Sequence, residues 1–155
     1  MIRAAMPMTI LVADDDADDR LMIEEAFDES ALANEIHFVE NGEQLMQYLR
    51  REDKFEHLSD RPFPGVVLLD LNMPRKDGRE ALREIKADPA LCRIPIVVLS
   101  TSHAEEDILS TYGLGVSSFI TKPATFEGLA DALKVLCRYW IEVVSLPPEC
   151  LRPRA

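Results

Sequence analysis

Two stretches, GVVLLD at 65–70 and IPIVVLS at 94–100, are apolar along their length with no polar alternation. A strand wetted on one side alternates, so these runs fit strands covered on both faces, as at the centre of a parallel sheet. Five strand candidates follow from β-branched and apolar runs at 9–13, 35–40, 65–70, 95–99 and 116–120. Amphipathic stretches at 17–28, 42–51, 79–87, 104–112 and 126–144 separate or follow them. Five strand–helix units in succession predict an α/β fold. Each crossover must be right-handed, which gives a doubly wound five-stranded parallel sheet with five flanking helices.

The chain has 155 residues, enough for one domain, and 47% of them are hydrophobic, so it can bury a core. Seventeen basic residues stand against 28 acidic ones, a net charge of −11. Such a surface repels nucleic acid and anionic membrane, so neither is an expected partner. No apolar run reaches membrane-spanning length. Cys92, Cys137 and Cys150 lack metal-ligand spacing and are odd in number, which fits reduced thiols and a cytoplasmic location. Residues 1–8 read as an N-terminal tail, 9–146 as the domain, and 147–155, opening on Pro147-Pro148, as a flexible C-terminal tail. The polar segment 52–64 reads as a protruding loop or an extension of the second helix.

Five of the six residues from Asp14 to Asp19 are aspartates, directly after the first strand. In the flavodoxin-like strand order 2-1-3-4-5, ligands sit beyond the carboxyl ends of the strands, and strands 1 and 3 are neighbours. Asp14 and Asp15 then meet Asp70, which ends strand 3; Ser100-Thr101 ends strand 4, and Lys122-Pro123 follows strand 5. Three carboxylates so close cannot all ionise cheaply unless a cation joins them. An all-oxygen set without histidine or cysteine fits a hard ion, and a sparse one fits Mg²⁺. Asp16 is placed to cap the first helix, with Asp18 and Asp19 in its first turn, where the helix dipole favours negative charge. The DLNMPRKDG stretch places Met73-Pro74 and Asp77-Gly78 in a turn into the third helix.

The acidic pair Asp14-Asp15 after ILVA, DLNMPRKDG from Asp70, Ser100 after IVVL, and Lys122-Pro123 resemble, in type and order, the receiver domain of two-component response regulators. The likeness covers about residues 9 to 140. It implies that Asp70 accepts a phosphoryl group from a sensor histidine kinase. It further implies Mg²⁺ held by Asp15, Asp70 and the backbone carbonyl of Asn72, with Asp14 acting through water. Lys122 would pair with Asp70 at rest and with the phosphoryl group afterwards, and Ser100 would offer its hydroxyl to that group. Phe119, on strand 5, is implied as the switch aromatic that swings inward on phosphorylation. Asn72 and Ser102 are implied as residues that tune the phosphoryl lifetime. Thr101, where the family commonly has a small Ala or Gly, departs from the pattern and is expected to narrow access to Asp70 and so to tune the same rates.

Most proteins of that family follow the receiver with an output domain. The few residues after the last helix here are too few to fold into one, so output is expected to run through the surface. The last helix carries a second apolar stripe that includes Val135, Tyr139 and Val143, expected to form a homodimer through the helix 4–strand 5–helix 5 side. The layout is similar to stand-alone regulators that partner phytochrome-type light-sensing kinases. Such a protein is a phosphoacceptor, not an enzyme in the ordinary sense. A phosphate sink or phosphorelay shuttle is the alternative, and a phosphorylation-independent pseudo-receiver a weaker one. A phosphatase of the haloacid-dehalogenase type needs an acid two residues after its nucleophile; Asn72 stands there and cannot protonate a leaving group.

Overall fold

The computed structural model describes residues 8–29, 35–101 and 104–151. Five strands, β1 Thr9–Ala13, β2 Glu35–Val39, β3 Val66–Leu69, β4 Ile96–Ser100 and β5 Ser118–Thr121, form one parallel sheet in the order β2-β1-β3-β4-β5. The helices are α1 Ala17–Glu29, α2 Gly42–Arg50, α3 Gly78–Ala87, α4 Glu105–Leu114 and α5 Phe126–Arg138. The expected fold class is therefore the observed one. Every residue of β3 and β4 is buried, as their unbroken apolar runs required. Each fully buried Val, Leu or Ile there stabilises the fold by about 1.5–3 kcal/mol. Among the described residues no helix is long and apolar enough to cross a membrane.

Segment 52–64 is neither a protruding loop nor a helix extension. Arg51, at φ 57°, ends α2 with a left-handed residue, and a short 3₁₀ helix, Asp53–Leu58, turns back. Tyr48 meets Phe55 edge-on at 5.1 Å, and the buried Arg51 guanidinium lies 5.0 Å from the Tyr48 ring while donating to the Pro62 carbonyl at 2.8 Å. The insertion thus has its own small aromatic core, which polar composition alone concealed.

The C-terminal segment also departs from expectation. After α5 the chain makes a π-helical turn, Tyr139–Val143, and then packs instead of trailing away. Leu146 and Cys150 are buried, and the Phe63 N–H donates to the Glu149 carbonyl at 3.0 Å. The described part of the expected flexible tail, 147–151, is therefore held against the residues that precede β3. Leu146 is buried beyond the π turn, whereas Phe126, the first residue of α5, is 40% exposed.

Candidate functional site: an acidic pocket with one buried lysine

Parallel pairing sets the pocket. Ala13 stands opposite Leu69, and the Asp70 N–H donates to the Ala13 carbonyl at 3.0 Å, so Asp14 and Asp70 leave the sheet side by side. Ser100 ends β4 opposite Thr121, and the Lys122 N–H donates to the Ser100 carbonyl at 2.8 Å. The register therefore delivers all four side chains to one end of the sheet. Asp14, Asp70 and Ser100 are buried, while Asp15 is exposed at the rim.

Asp14, Asp15 and Asp70 can offer oxygens that all lie within 4.8 Å of one another. Asp14 Oδ1 accepts from the Asp16 N–H at 2.9 Å, and Asp70 Oδ1 accepts from the Asn72 N–H at 3.0 Å. Burial raises the carboxyl pKa of both Asp14 and Asp70 above the usual range, against those hydrogen bonds and the charge of Lys122. An all-oxygen, acid-rich pocket with a solvent-facing side fits a divalent hard cation, with Asp14, Asp15 and Asp70 as the carboxylates that would hold it.

Lys122 does not mainly pair with Asp70, as expected. Its Nζ donates to Asp14 Oδ2 at 2.7 Å and to Asp19 Oδ2 at 2.8 Å, with Asp70 Oδ2 at a longer 3.4 Å. The reason is local. Asp16 caps α1 by accepting from the N–H groups of Asp18 and Asp19, and the first helical turn then brings the Asp19 carboxylate back over the strand ends. Burial alone would lower the Lys122 pKa; the hydrogen bonds to Asp14 and Asp19 and the neighbouring charges reverse this and hold it above its usual range. Asp19 was missed because a first-turn aspartate already has a role in the helix dipole. The signal lay in valence: a buried ammonium has three donors to satisfy, and this chain crowds acids around one lysine.

Arg20 was also missed. Its guanidinium donates to the Asp14 carbonyl at 2.8 Å and lies 3.3 Å from Glu40, tying the ends of β1 and β2 together. Beside Asp15, a cleft of about 540 Å³ opens between the start of α2 and the β3–α3 loop, lined in part by Glu40, Glu43, Lys54 and Arg75.

The remaining expected site residues spread outward. Thr101 is exposed next to buried Ser100, Asn72 is exposed, and Ser102 lies outside the described residues. Phe119 is half-buried on β5, and its N–H donates to the Tyr112 hydroxyl of α4 at 3.2 Å. Val135, Tyr139 and Val143 are all exposed, at 70%, 52% and 70%, along the outer side of α5 and its π turn.

A doubly wound sheet with an acid pocket at its switch point and a lysine after the last strand is the architecture of a receiver-type signalling module. The chain belongs to the response regulator receiver domain family, whose model matches residues 10–134. It is 38% identical over 141 residues to response regulator Rcp1 of Synechocystis sp., covering 91% of this chain and 94% of the relative. Among solved structures it is similar to the phosphorylated cyanobacterial phytochrome response regulator RcpA, with 41% identity, a TM-score of 0.85, and 91% and 99% of the two chains covered. The Mn(2+)-bound form of Rcp1 gives 38% identity and a TM-score of 0.84 at the same coverage. The response regulator RPA3017, in red light signaling of R. palustris, gives 35% identity, a TM-score of 0.82, and 90% and 98% coverage.

Proposed function

We propose that the chain is a stand-alone response regulator that takes a phosphoryl group on Asp70 from a phosphohistidine of a sensor histidine kinase. The observation that carries this reading is the convergence of Asp14, Asp15 and Asp70 at the switch point of the sheet, with Lys122 donating to Asp14 and Asp70. A carboxylate oxygen of Asp70 attacks phosphorus in line, the P–N bond breaks, and its electron pair returns to the imidazole, which leaves as neutral histidine once protonated. Bound Mg²⁺ would supply positive charge to the phosphoryl oxygens, held by Asp15, Asp70 and the Asn72 carbonyl, with Asp14 acting through water. Lys122 and the Ser100 hydroxyl contribute fixed donors to the same oxygens. The Mn(2+)-bound form of Rcp1 supports a divalent ion in this pocket.

The kinase is of the phytochrome type on this reading, supported by the likeness to RcpA and Rcp1 over nearly the whole chain. Phosphorylation draws Ser100 inward, and half-buried Phe119 follows, releasing its neighbours on α4 for output. Asn72, Thr101 and Ser102 set how fast water removes the group. The α4–β5–α5 side pairs two copies through Val135, Tyr139 and Val143, whose exposure supports an apolar partner.

Intact mass after incubation with acetyl phosphate and Mg²⁺ tests the core of this reading. A labile phosphoryl adduct on the wild type, absent from Asp70→Asn, is expected. An adduct that persists in Asp70→Asn would place the acceptor elsewhere. Light scattering over a concentration series, with Val135→Glu as control, tests the dimer; a monomer at every concentration and phosphorylation state overturns it.

A further inference from the structure

Lys122 has three N–H bonds to give, and three carboxylates stand ready to receive them. The two short bonds go to Asp14 and Asp19, at 2.7 and 2.8 Å, while Asp70, the proposed acceptor, stands at 3.4 Å. From this we infer that Asp19 is a positioning residue that holds Lys122 in reserve and opposes phosphorylation. The inference rests on Asp70 being the acceptor.

The physical case lies in what each carboxylate loses when the lysine moves. A phosphoryl group on Asp70 carries more charge than the carboxylate it replaces and draws the ammonium toward it. The ammonium must then loosen a short bond. The Asp14 side chain is 2% exposed, so leaving it without its cation strands a buried charge. The Asp19 side chain is 23% exposed on the first turn of α1, so water can replace the lysine there. Asp19 is therefore the partner that lets go. The Asp19–Lys122 bond exists only before phosphorylation, and its whole strength counts against the phosphorylated state. Asp19 sets the threshold at which the donor can charge Asp70.

The test compares wild type, Asp19→Asn, Asp19→Glu and Asp18→Asn in the full chain. Asp18 is exposed in the same helical turn, so its variant reproduces the loss of one charge and of the dipole contribution. With limiting acetyl phosphate and Mg²⁺, Asp70 gains the phosphoryl group and acetate leaves with the bridging oxygen. Asp19→Asn is expected to raise the ratio of phosphorylated to free protein roughly five- to tenfold, the scale of one partly exposed charge-assisted hydrogen bond. Asp18→Asn is expected to change it less than about twofold, and Asp19→Glu to return it toward the wild type. Calorimetric titration with beryllofluoride and Mg²⁺, which mimics the phosphoryl group without turnover, should show the same ordering of affinities. If Asp19→Asn and Asp18→Asn coincide in both measurements while the wild type charges Asp70 normally, the positioning role is wrong and the acceptor reading stands. A wild type that neither labels on Asp70 nor binds beryllofluoride overturns both.

Discussion

Gly78 and Gly113 lack a side chain for opposite reasons. A Cβ on Gly78 would overlap the carbonyl of Asp70 and the Cα of Leu71, so the start of α3 sits on the backbone that directly follows β3. The sequence suggested a permissive turn at Gly78. The left-handed residue is instead Arg75, at φ 64°, and Gly78 is required by close approach. A Cβ on Gly113, inside α4, meets nothing within 4 Å. Gly78→Ala is therefore expected to destabilise the fold by about 1–3 kcal/mol, as overpacking does. Gly113→Ala should stabilise it by about 0.5–1 kcal/mol through helix propensity. Denaturant midpoints of the two variants check the pair, and a similar effect of both would show that the close approach is not real. The same contrast marks what a sequence discloses at single residues. Asp14, Asp15, Asp70, Ser100 and Lys122 were legible because each terminates or follows a recognisable strand. The Lys122–Asp19 bond was not, because it depends on the rotation of α1 about its own axis, which the Asp16 cap fixes only in three dimensions.

Elements were legible in order and type, and less so where packing decided the outcome. The five strands and helices follow from periodicity. The 3₁₀ helix Asp53–Leu58 and the folded C-terminal segment do not, since isolated aromatics and a proline pair read as loop until a surface is there to receive them. Arg79 of α3 bridges to Asp107 of α4 with Nε and Nη2 each 2.8 Å from a carboxylate oxygen, a tie that spans 28 residues and carries no local signature. A double-mutant cycle of Arg79→Met and Asp107→Asn should give a coupling of about 0.5–1 kcal/mol, reduced by salt because both groups reach solvent. The C-terminal packing has a chemical readout. Burial pushes the thiols of Cys137 and Cys150 up to about 12, whereas Cys92 is only half-buried. A maleimide should label Cys92 well before the other two in the folded protein. The folded pKa lies above the unfolded value of 9.0, so thiol ionisation favours unfolding, and stability falls as pH rises from 9.0 toward 12. Early labelling of Cys150 would mean that the segment after α5 does not hold its place.

At the scale of the whole molecule, a net charge of −11 is mostly harmless because most carboxylates are solvated, but Asp14 and Asp70 are not. Both have folded pKa values above the ordinary 3.8, raised by burial. Their protonation therefore favours the fold, and that contribution is lost as pH rises from 3.8 through the folded values. Lys122 offsets part of the resulting strain through Asp14, yet it shares its donors with Asp19 and stays long to Asp70. On the proposed reading a divalent cation would bind the ionised pocket, so its effect would grow over the same rise in pH. Thermal unfolding with and without Mg²⁺ from pH 4 to 8 should show a stabilisation that is near zero at the acid end. At neutral pH, Mg²⁺ at about a hundred times its Kd should add roughly 2.7 kcal/mol. Asp15→Asn should remove most of that gain while leaving the metal-free midpoint nearly unchanged, because Asp15 is exposed and contributes chiefly as a ligand. An equal gain from NaCl at matched ionic strength would reduce the effect to screening of the surface charge and leave the three carboxylates without a role as a metal site.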